Sequence, residues 1–303
     1  MDELRPLDSV ADRYDLVRLW HRSFAGRWPL NVVDLLKVLE SAAARDATLV
    51  ALAGGRLIGL AAAGIRADEG QLQVLVVDPA ARRRGVATLL HAEALSRLRA
   101  AGCTRARVGN ALWPGIPATA RGALAFFANC GWRLGQETFD LVGRLRDVPR
   151  HPALPGDVEI VTAVTPGAVR DLLDFQQRVF PRWADDYRRT AEAGDLEDIV
   201  LARDASGEVL GAVLVHGPGS SRWENKRVWQ KILGEDMCVI GEVGVSPKSR
   251  RRGIGLALVA QASRWLSRRG GDSCLIHWTG LVSWYGRLGY EIWAEYRLAE
   301  LKL

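Results

Sequence analysis

The chain repeats itself at a spacing of 168 residues, and this limits its fold more than any other feature. "DPAARRRGVATLLHAEALSRL" (Asp78–Leu98) and "SPKSRRRGIGLALVAQASRWL" (Ser246–Leu266) both run a turn, three arginines and a glycine into the apolar periodicity of a helix. The matched context is wide. "LRPLDSVADRYDLVRLWHRSF" pairs in pattern with "VEIVTAVTPGAVRDLLDFQQRVF", each a short strand, a capping turn and an amphipathic helix. "LVALAGGRLIGLAAAGI" pairs with "IVLARDASGEVLGAVLVHG", two apolar strands about a glycine turn, which is a hairpin signal. "ALAFFANCGWR" pairs with "LVSWYGRLGYE". Each half is therefore one complete unit rather than one repeat of a solenoid.

A linker is expected at "RDVPRHPALPGD" (Arg146–Asp157), which carries three prolines and no apolar periodicity. The reading is two domains, residues 1–148 and 157–303. Each orders its elements as strand, helix or helices, hairpin, strand, glycine loop, helix, strand, helix, strand. The fold class that follows is α/β, a mixed sheet flanked by helices, twice in tandem. Gly85 to Gly131 spans 46 residues and Gly253 to Gly289 only 36. The surplus in the first half falls on the loop "ALWPGIPATARG". The second half has its own insertion, "GPGSSRWENKRVWQKILGEDM", read as a lid or a packed surface helix.

Composition excludes several classes. Hydrophobic residues make up 48% and charged residues 25%, the profile of a globular protein. No apolar run approaches a membrane span, and the start "MDELRPLDSV" is too acidic for a secretory leader. Cys103, Cys130, Cys238 and Cys274 form no C-x-x-C pair and no metal-ligand spacing, so reduced thiols and a cytoplasmic location are expected. The net charge of +6 is modest, and arginine clustered at two short loops suits a small polyanion.

The arginine–glycine loop has a physical reading. The first-turn N–H groups of a helix lack partners within it and, with the helix dipole, form an anion site. Glycines at 253 and 255 let the backbone approach a bulky anion. Arg250, Arg251 and Arg252 add forked donors for phosphate oxygens. A diphosphate is the expected ligand. The Lys-Ser/Thr ending of a triphosphate loop is missing, and so is G-x-G-x-x-G.

The pattern Arg-x-x-Gly-x-Gly/Ala after Val-x-Pro resembles the acetyl-CoA loop of the GCN5-related N-acetyltransferase family. Arg250, Gly253 and Gly255 match it in the second half, and Arg82, Gly85 and Ala87 in the first. "SWYGRLGY" resembles that family's Phe-Tyr-x-x-x-Gly-Phe segment, and "AFFANCGW" is a weaker version of it. The tandem layout and length are similar to an actinobacterial two-domain branch. The resemblance implies acetyl-CoA bound along Val243, Gly244, Val245, Arg250, Arg251, Arg252, Gly253, Ile254, Gly255 and Leu256. In the first half the matching positions are Val76, Val77, Arg82, Arg83, Arg84, Gly85, Val86, Ala87 and Thr88. No metal is implied.

The resemblance also implies acetyl transfer to an amine. A base, often a glutamate, deprotonates the amine, a backbone N–H on the strand before the loop steadies the oxyanion, and a tyrosine serves the leaving thiolate. In the second half Tyr285 holds the tyrosine position, as the thiolate's partner or as an ordinary core aromatic. Glu242 lies on the strand nearer Val-x-Pro than the family's usual base, as the base or as a group facing away or paired with an arginine. The first half has Phe127 at the tyrosine position and only "QLQVLVV" on its strand, so it reads as a degenerate copy. Asp236 is a weaker substitute base, and His277 is a second base or an ordinary core histidine. Trp183, Trp223, Trp229, Trp278, Trp284 and Trp293 line an acceptor pocket or pack the core. Asp185 and Asp186 attract a cationic amine or form a solvated face.

The expected function is an N-acetyltransferase with its chemistry in the second domain, acting on a small-molecule amine or a protein amine. Antibiotic, amino-sugar and polyamine acceptors are equally compatible. The first half either binds a CoA of its own, or its extra loop plugs the cleft or forms a protein contact. The rival reading is a non-catalytic acetyl-CoA sensor. A nucleic-acid partner has no helix-turn-helix or finger signature behind it. Monomer and homodimer both remain open.

Overall fold

The computed structural model describes residues 1–24, 27–40, 48–66, 69–110, 112–149, 154–221 and 227–303. Ala111 of the extra loop, Arg150–Ala153 of the linker and Trp223 of the insertion lie outside the described residues. In chain order the first part carries β1 (Glu3–Pro6), α1 (Arg13–Phe24), α2 (Val32–Glu40), β2 (Thr48–Ala53), β3 (Arg56–Arg66), β4 (Glu69–Val77), α3 (Val86–Ala100), β5 (Arg105–Val108), β6 (Ile116–Pro117), α4 (Arg121–Asn129) and β7 (Arg133–Arg144). The second carries β8 (Val158–Thr162), α5 (Pro166–Val179), α6 (Ala184–Glu192), β9 (Ile199–Asp204), β10 (Val209–His216), α7 (Arg227–Leu233), β11 (Met237–Val245), α8 (Ile254–Arg268), β12 (Ser273–Thr279), α9 (Val282–Gly286) and β13 (Glu291–Lys302). The order is the one the repeat predicts, a mixed α/β arrangement in each half.

Two compact units result, and they do not divide the chain at a single point. Unit 1 is Met1–Thr138 with Glu295–Leu303, and unit 2 is Phe139–Ala294. In unit 1 the strands run β1-β2-β3-β4-β5, and the end of β13 closes the edge with Glu300 opposite Arg107. In unit 2 they run β8-β9-β10-β11-β12, and the end of β7 closes the edge with Leu141 opposite Ile276. Each unit thus takes its last strand from the far side of the chain. All neighbours within a unit are antiparallel except β4/β5 and β11/β12, which are parallel and joined by the crossover helices α3 and α8.

Local chemistry explains the elements. The β2–β3 turn is Gly54–Gly55 with both φ positive (55 and 70), as a two-residue hairpin needs. Helix α5 starts on Thr165, whose side chain accepts from the Ala168 N–H, with a proline in its first turn. Helix α8 buries Ile254, Leu258, Val259, Ala262 and Leu266 against Val213, Val215, Ile240 and Ile276. Helix α3 does the same in unit 1 with Val86, Leu90, Ala94 and Leu98 against Ala61, Leu72 and Ala106. All four cysteines are free thiols. Among the described residues, no helix is long and apolar enough to cross a membrane, and no group of His, Cys, Asp and Glu could hold a metal ion.

Candidate active site

The two glycine loops adopt one conformation. Arg83 and Arg251 take φ 63 and 64, and Gly85 and Gly253 take φ 80 and 81. A left-handed arginine is an uncommon, strained backbone state, and it recurs here at the same place in both units. Arg82 Nε donates to the Val77 carbonyl (3.1 Å) and Arg250 Nε to the Val245 carbonyl (3.2 Å). The first arginine of each triplet therefore pins its loop to the end of its own strand. Arg252 is held by Asp157 through its Nη2, at 2.9 and 3.0 Å from the two carboxylate oxygens. Arg251 and Gly253 are exposed.

These loops fit a diphosphate. Helix α8 has no side-chain cap at Gly253, and a Cβ built on Gly253 meets nothing within 4 Å. The first backbone donor to find a helix acceptor is Ala257, whose N–H reaches the Gly253 carbonyl (3.1 Å). Gly85 and Leu89 repeat this in unit 1. Thr165 caps α5, whereas these two helix mouths are left uncapped and open. Gly255 has a packing reason as well. A Cβ there would press on Trp284 at 3.2 Å and Val245 at 3.3 Å, so this glycine lets α8 pack on Trp284. Gly244 likewise makes room for the Phe180 ring, 2.6 Å from where its Cβ would stand.

Next to each loop the parallel strands part. Registered pairs between β11 and β12 end at Ile240–Ile276, although β11 runs on to Val245 and β12 to Thr279. In unit 1 they end at Leu72–Val108, the same place one repeat earlier. Beyond the fork, β11 bulges against β10 between Ala212 and Leu214, and Glu242 sits in the bulge with φ 50. The Glu242 carbonyl accepts from the hydroxyl of Tyr187 on α6 (2.7 Å). Tyr187 is fully buried, and its hydroxyl is held well above its ordinary value by burial first and by the charge of Glu242 second. Ser246 N–H is spent on the Leu210 carbonyl (2.8 Å), so alternation turns the Val245 N–H away from β10, toward the fork.

Tyr285 stands on α9, 6% exposed, in edge-to-face contact with Trp284. Burial, and secondarily Cys274, push its phenol up to about 12, so it is neutral and proton-bearing at physiological pH. Phe127 holds the equivalent place in unit 1, buried against Trp132 and His91.

The unit 1 fork is bridged and narrowed. Asn110 Nδ2 donates to the Gln73 carbonyl (3.1 Å), and its Oδ1 accepts from the Leu112 and Trp113 N–H groups (2.7 and 2.9 Å). Trp113 is buried, stacked on Trp20 and edge-on to Trp28. An apolar cavity of about 150 Å³ remains, lined by Trp20, Trp28, Val74, Trp113 and Phe127. The extra loop thus lays Leu112 and Trp113 beside the fork and narrows it to this cavity.

The other candidates fall into place individually. Asp185 pairs with Arg188, and Asp186 with Arg189 (2.8 Å), one turn on along α6. His277 Nδ1 lies 3.3 Å from Asp140 Oδ1, and its ring is 5.0 Å from that of Trp229, which is fully buried. Trp183 stacks on Phe180. Trp278 is exposed. Tyr187 and Asp140 were not singled out from sequence. Tyr187 lies inside the charged run of α6, where its spacing with Ala184 and Thr190 is the only clue, all three being buried on one face.

The sequence profile described as the acetyltransferase (GNAT) family matches residues 13–132 and 168–290, one stretch in each half. The chain belongs to this family. It is 32% identical over 223 residues to a mycothiol acetyltransferase of Mycolicibacterium paratuberculosis, covering 69% of this chain and 64% of that protein. The chain therefore spans a little under two thirds of that curated relative's length. A GCN5-related glucosamine N-acetyltransferase region of a fungal multi-domain GH3 β-N-acetylglucosaminidase superposes with a TM-score of 0.86 at 29% identity, over 99% of this chain and 38% of that one. A GCN5-related N-acetyltransferase of Sphaerobacter thermophilus, 20% identical, shares the fold with a TM-score of 0.75 over 99% of this chain and 95% of that one. Both units are thus GNAT-type domains in tandem, and acetyltransferases of this family use acetyl-CoA.

Proposed function

We propose that the chain moves the acetyl group of acetyl-CoA to the primary amine of a small molecule, with the chemistry in unit 2. The observation that carries this reading is the fork beyond Ile240 and Ile276, with Glu242 held in a bulge on one strand and Tyr285 on the helix that follows the other. Acetyl-CoA supplies an acyl thioester, whose carbonyl an amine can attack and whose thiol can leave. Everything else falls to the chain's own groups. The N–H groups of Ile254, Gly255 and Leu256, with Arg251, would hold the diphosphate at the uncapped mouth of α8. The Val245 N–H, turned toward the fork, would donate to the carbonyl oxygen. Glu242 takes the proton of the incoming ammonium and releases it to water. Tyr285 gives a proton to the departing sulfur, and the second proton shed by the nitrogen after attack restores the Tyr285 phenol. Its neutral state suits that donation.

Unit 1 is assigned no turnover. Phe127 has no proton to give, and Asn110 and Trp113 narrow the fork where an acyl arm would lie. The relatives named for mycothiol and glucosamine support a small acceptor. The test is thiol release from acetyl-CoA across a panel of amines, read with a thiol reagent, beside calorimetric titration of acetyl-CoA alone. Release that requires an amine is expected. Binding without amine-dependent release would make the protein a sensor and overturn the assignment.

A further inference from the structure

One buried carboxylate in unit 2 has no part in the reaction above. Asp140 lies on the end of β7, wholly inaccessible to solvent. Its Oδ1 accepts from the Trp278 N–H (3.1 Å) and stands 3.3 Å from His277 Nδ1. Its Oδ2 is buried without a hydrogen-bond partner among the described residues. A carboxylate taken out of water is costly unless the groups around it need it there. What it holds is the point where β12 leaves its ladder. Pairing with β7 slips between Ile276 and Thr279, and Trp278 bends into the left-handed region at φ 53. A bulky residue stays in that region only where its surroundings over-determine it, and the bond from its N–H to Asp140 does so.

The consequence is a tryptophan facing outward at the fork. Trp278 is 45% exposed, whereas Trp229 and Trp293 on the same side of the chain's aromatic group are packed edge to face. Trp278 lies two residues past Ile276 on the β12 arm of the fork, and Glu242 two residues past Ile240 on the β11 arm. A rigid flat indole on one arm of the fork whose other arm carries the proposed base is a surface for a ring with an apolar C–H face and an amine at its edge, which is the shape of an amino sugar. A flexible alkylamine has no such face.

We propose that Trp278 is the acceptor-recognition residue of unit 2, selecting a saccharide-class amine by stacking, and that Asp140 is its positioning residue. This rests on the acetyltransferase reading for the identity of the amine, and the decisive measurement is independent of turnover. The protein is labelled with 5-fluorotryptophan, and the Trp278 resonance is assigned by its loss in Trp278→Phe. Titration with glucosamine in the absence of acetyl-CoA shifts that resonance, and ethanolamine at the same concentrations leaves it in place. Equal shifts from both amines, or glucosamine shifts confined to other tryptophans, overturn the proposal whether or not the enzyme turns over. Where turnover is measured, Trp278→Ala and Asp140→Ala raise the KM for glucosamine about tenfold with the KM for acetyl-CoA unchanged. Asp140→Asn keeps an oxygen for the Trp278 N–H and restores KM to within about threefold. If Asp140→Ala fails to fold, Trp278→Ala and Asp140→Asn carry the kinetic test. An unchanged glucosamine KM in Trp278→Ala contradicts the recognition role.

Discussion

The two units share a loop and differ at the fork beside it. Their glycines agree within about a degree in φ, their second arginines take the same strained backbone, and their first arginines bond the same strand-end carbonyl. Their parallel strands part at equivalent rungs. Past that point unit 1 bridges the gap with Asn110 and packs it with Trp113, while unit 2 carries Glu242 in a bulge and Tyr285 beyond it. The geometry of the proposed anion site is thus separable from the groups proposed for catalysis. The loop is a backbone device that recurs in both units. The proposed catalytic groups are single side chains, and unit 1 keeps the loop with Phe127 in place of Tyr285.

The comparison can be broken most forcefully at the extra loop. Trp113→Ala removes a buried indole packed on two others and should cost unit 1 about 3–5 kcal/mol, read as a lower denaturant midpoint. A loss under about 1 kcal/mol would mean Trp113 is loosely seated. Next comes the phenol. Tyr285→Phe should slow amine-dependent turnover about a hundredfold with acetyl-CoA affinity unchanged, whereas Phe127→Tyr in unit 1 should add no rate. Equal loss of rate and affinity would show that Tyr285 acts through packing. A smaller effect is expected at the loops. Gly85→Val and Gly253→Val each force a β-branched residue into the left-handed region, with the same loss of about 1–3 kcal/mol in stability. Unequal losses would break the equivalence of the two loops.

The weakest effect sharpens the picture at alkaline pH. Tyr285 has a folded-state pKa of about 12 against an ordinary value of 10. Above pH 10 the unfolded chain loses this proton first, so the native state binds more protons and stability falls as pH rises. The contribution is complete below pH 10 and lost through about pH 12, at no more than about 1.4 kcal/mol per pH unit. Tyr285→Phe should flatten the decline of melting temperature across that window.

Much of this was legible in the sequence because the repeat is local. The arginine–glycine loops, the hairpins and the helices after them depend on neighbours a few residues apart, and matched patterns gave matched geometry. Glu242 and Tyr285 were singled out by resemblance to a family motif, and the structure places the first in a strand bulge and the second buried on α9. Asp140 was not singled out. It belongs by position to the first half, yet β7 pairs with β12, and no local periodicity reports a partner such as Trp278, 138 residues away. Tyr187 was hidden in a helix whose charges dominate its pattern. The packing of Gly255 against Trp284 was likewise not visible in its motif. Whether the ten-residue surplus of unit 1 narrowed its cleft turned on where Trp113 packs, which spacing alone does not encode.

The central claim is that the acid in the unit 2 bulge does the proton chemistry. Glu242→Gln keeps the shape of the side chain and removes the base. Amine-dependent thiol release by this variant, measured beside calorimetric acetyl-CoA binding, tests the claim most directly. The account predicts a loss of about a thousandfold in rate at unchanged affinity, with partial recovery as pH is raised and the amine deprotonates unaided. Turnover within about threefold of the unsubstituted protein would contradict it.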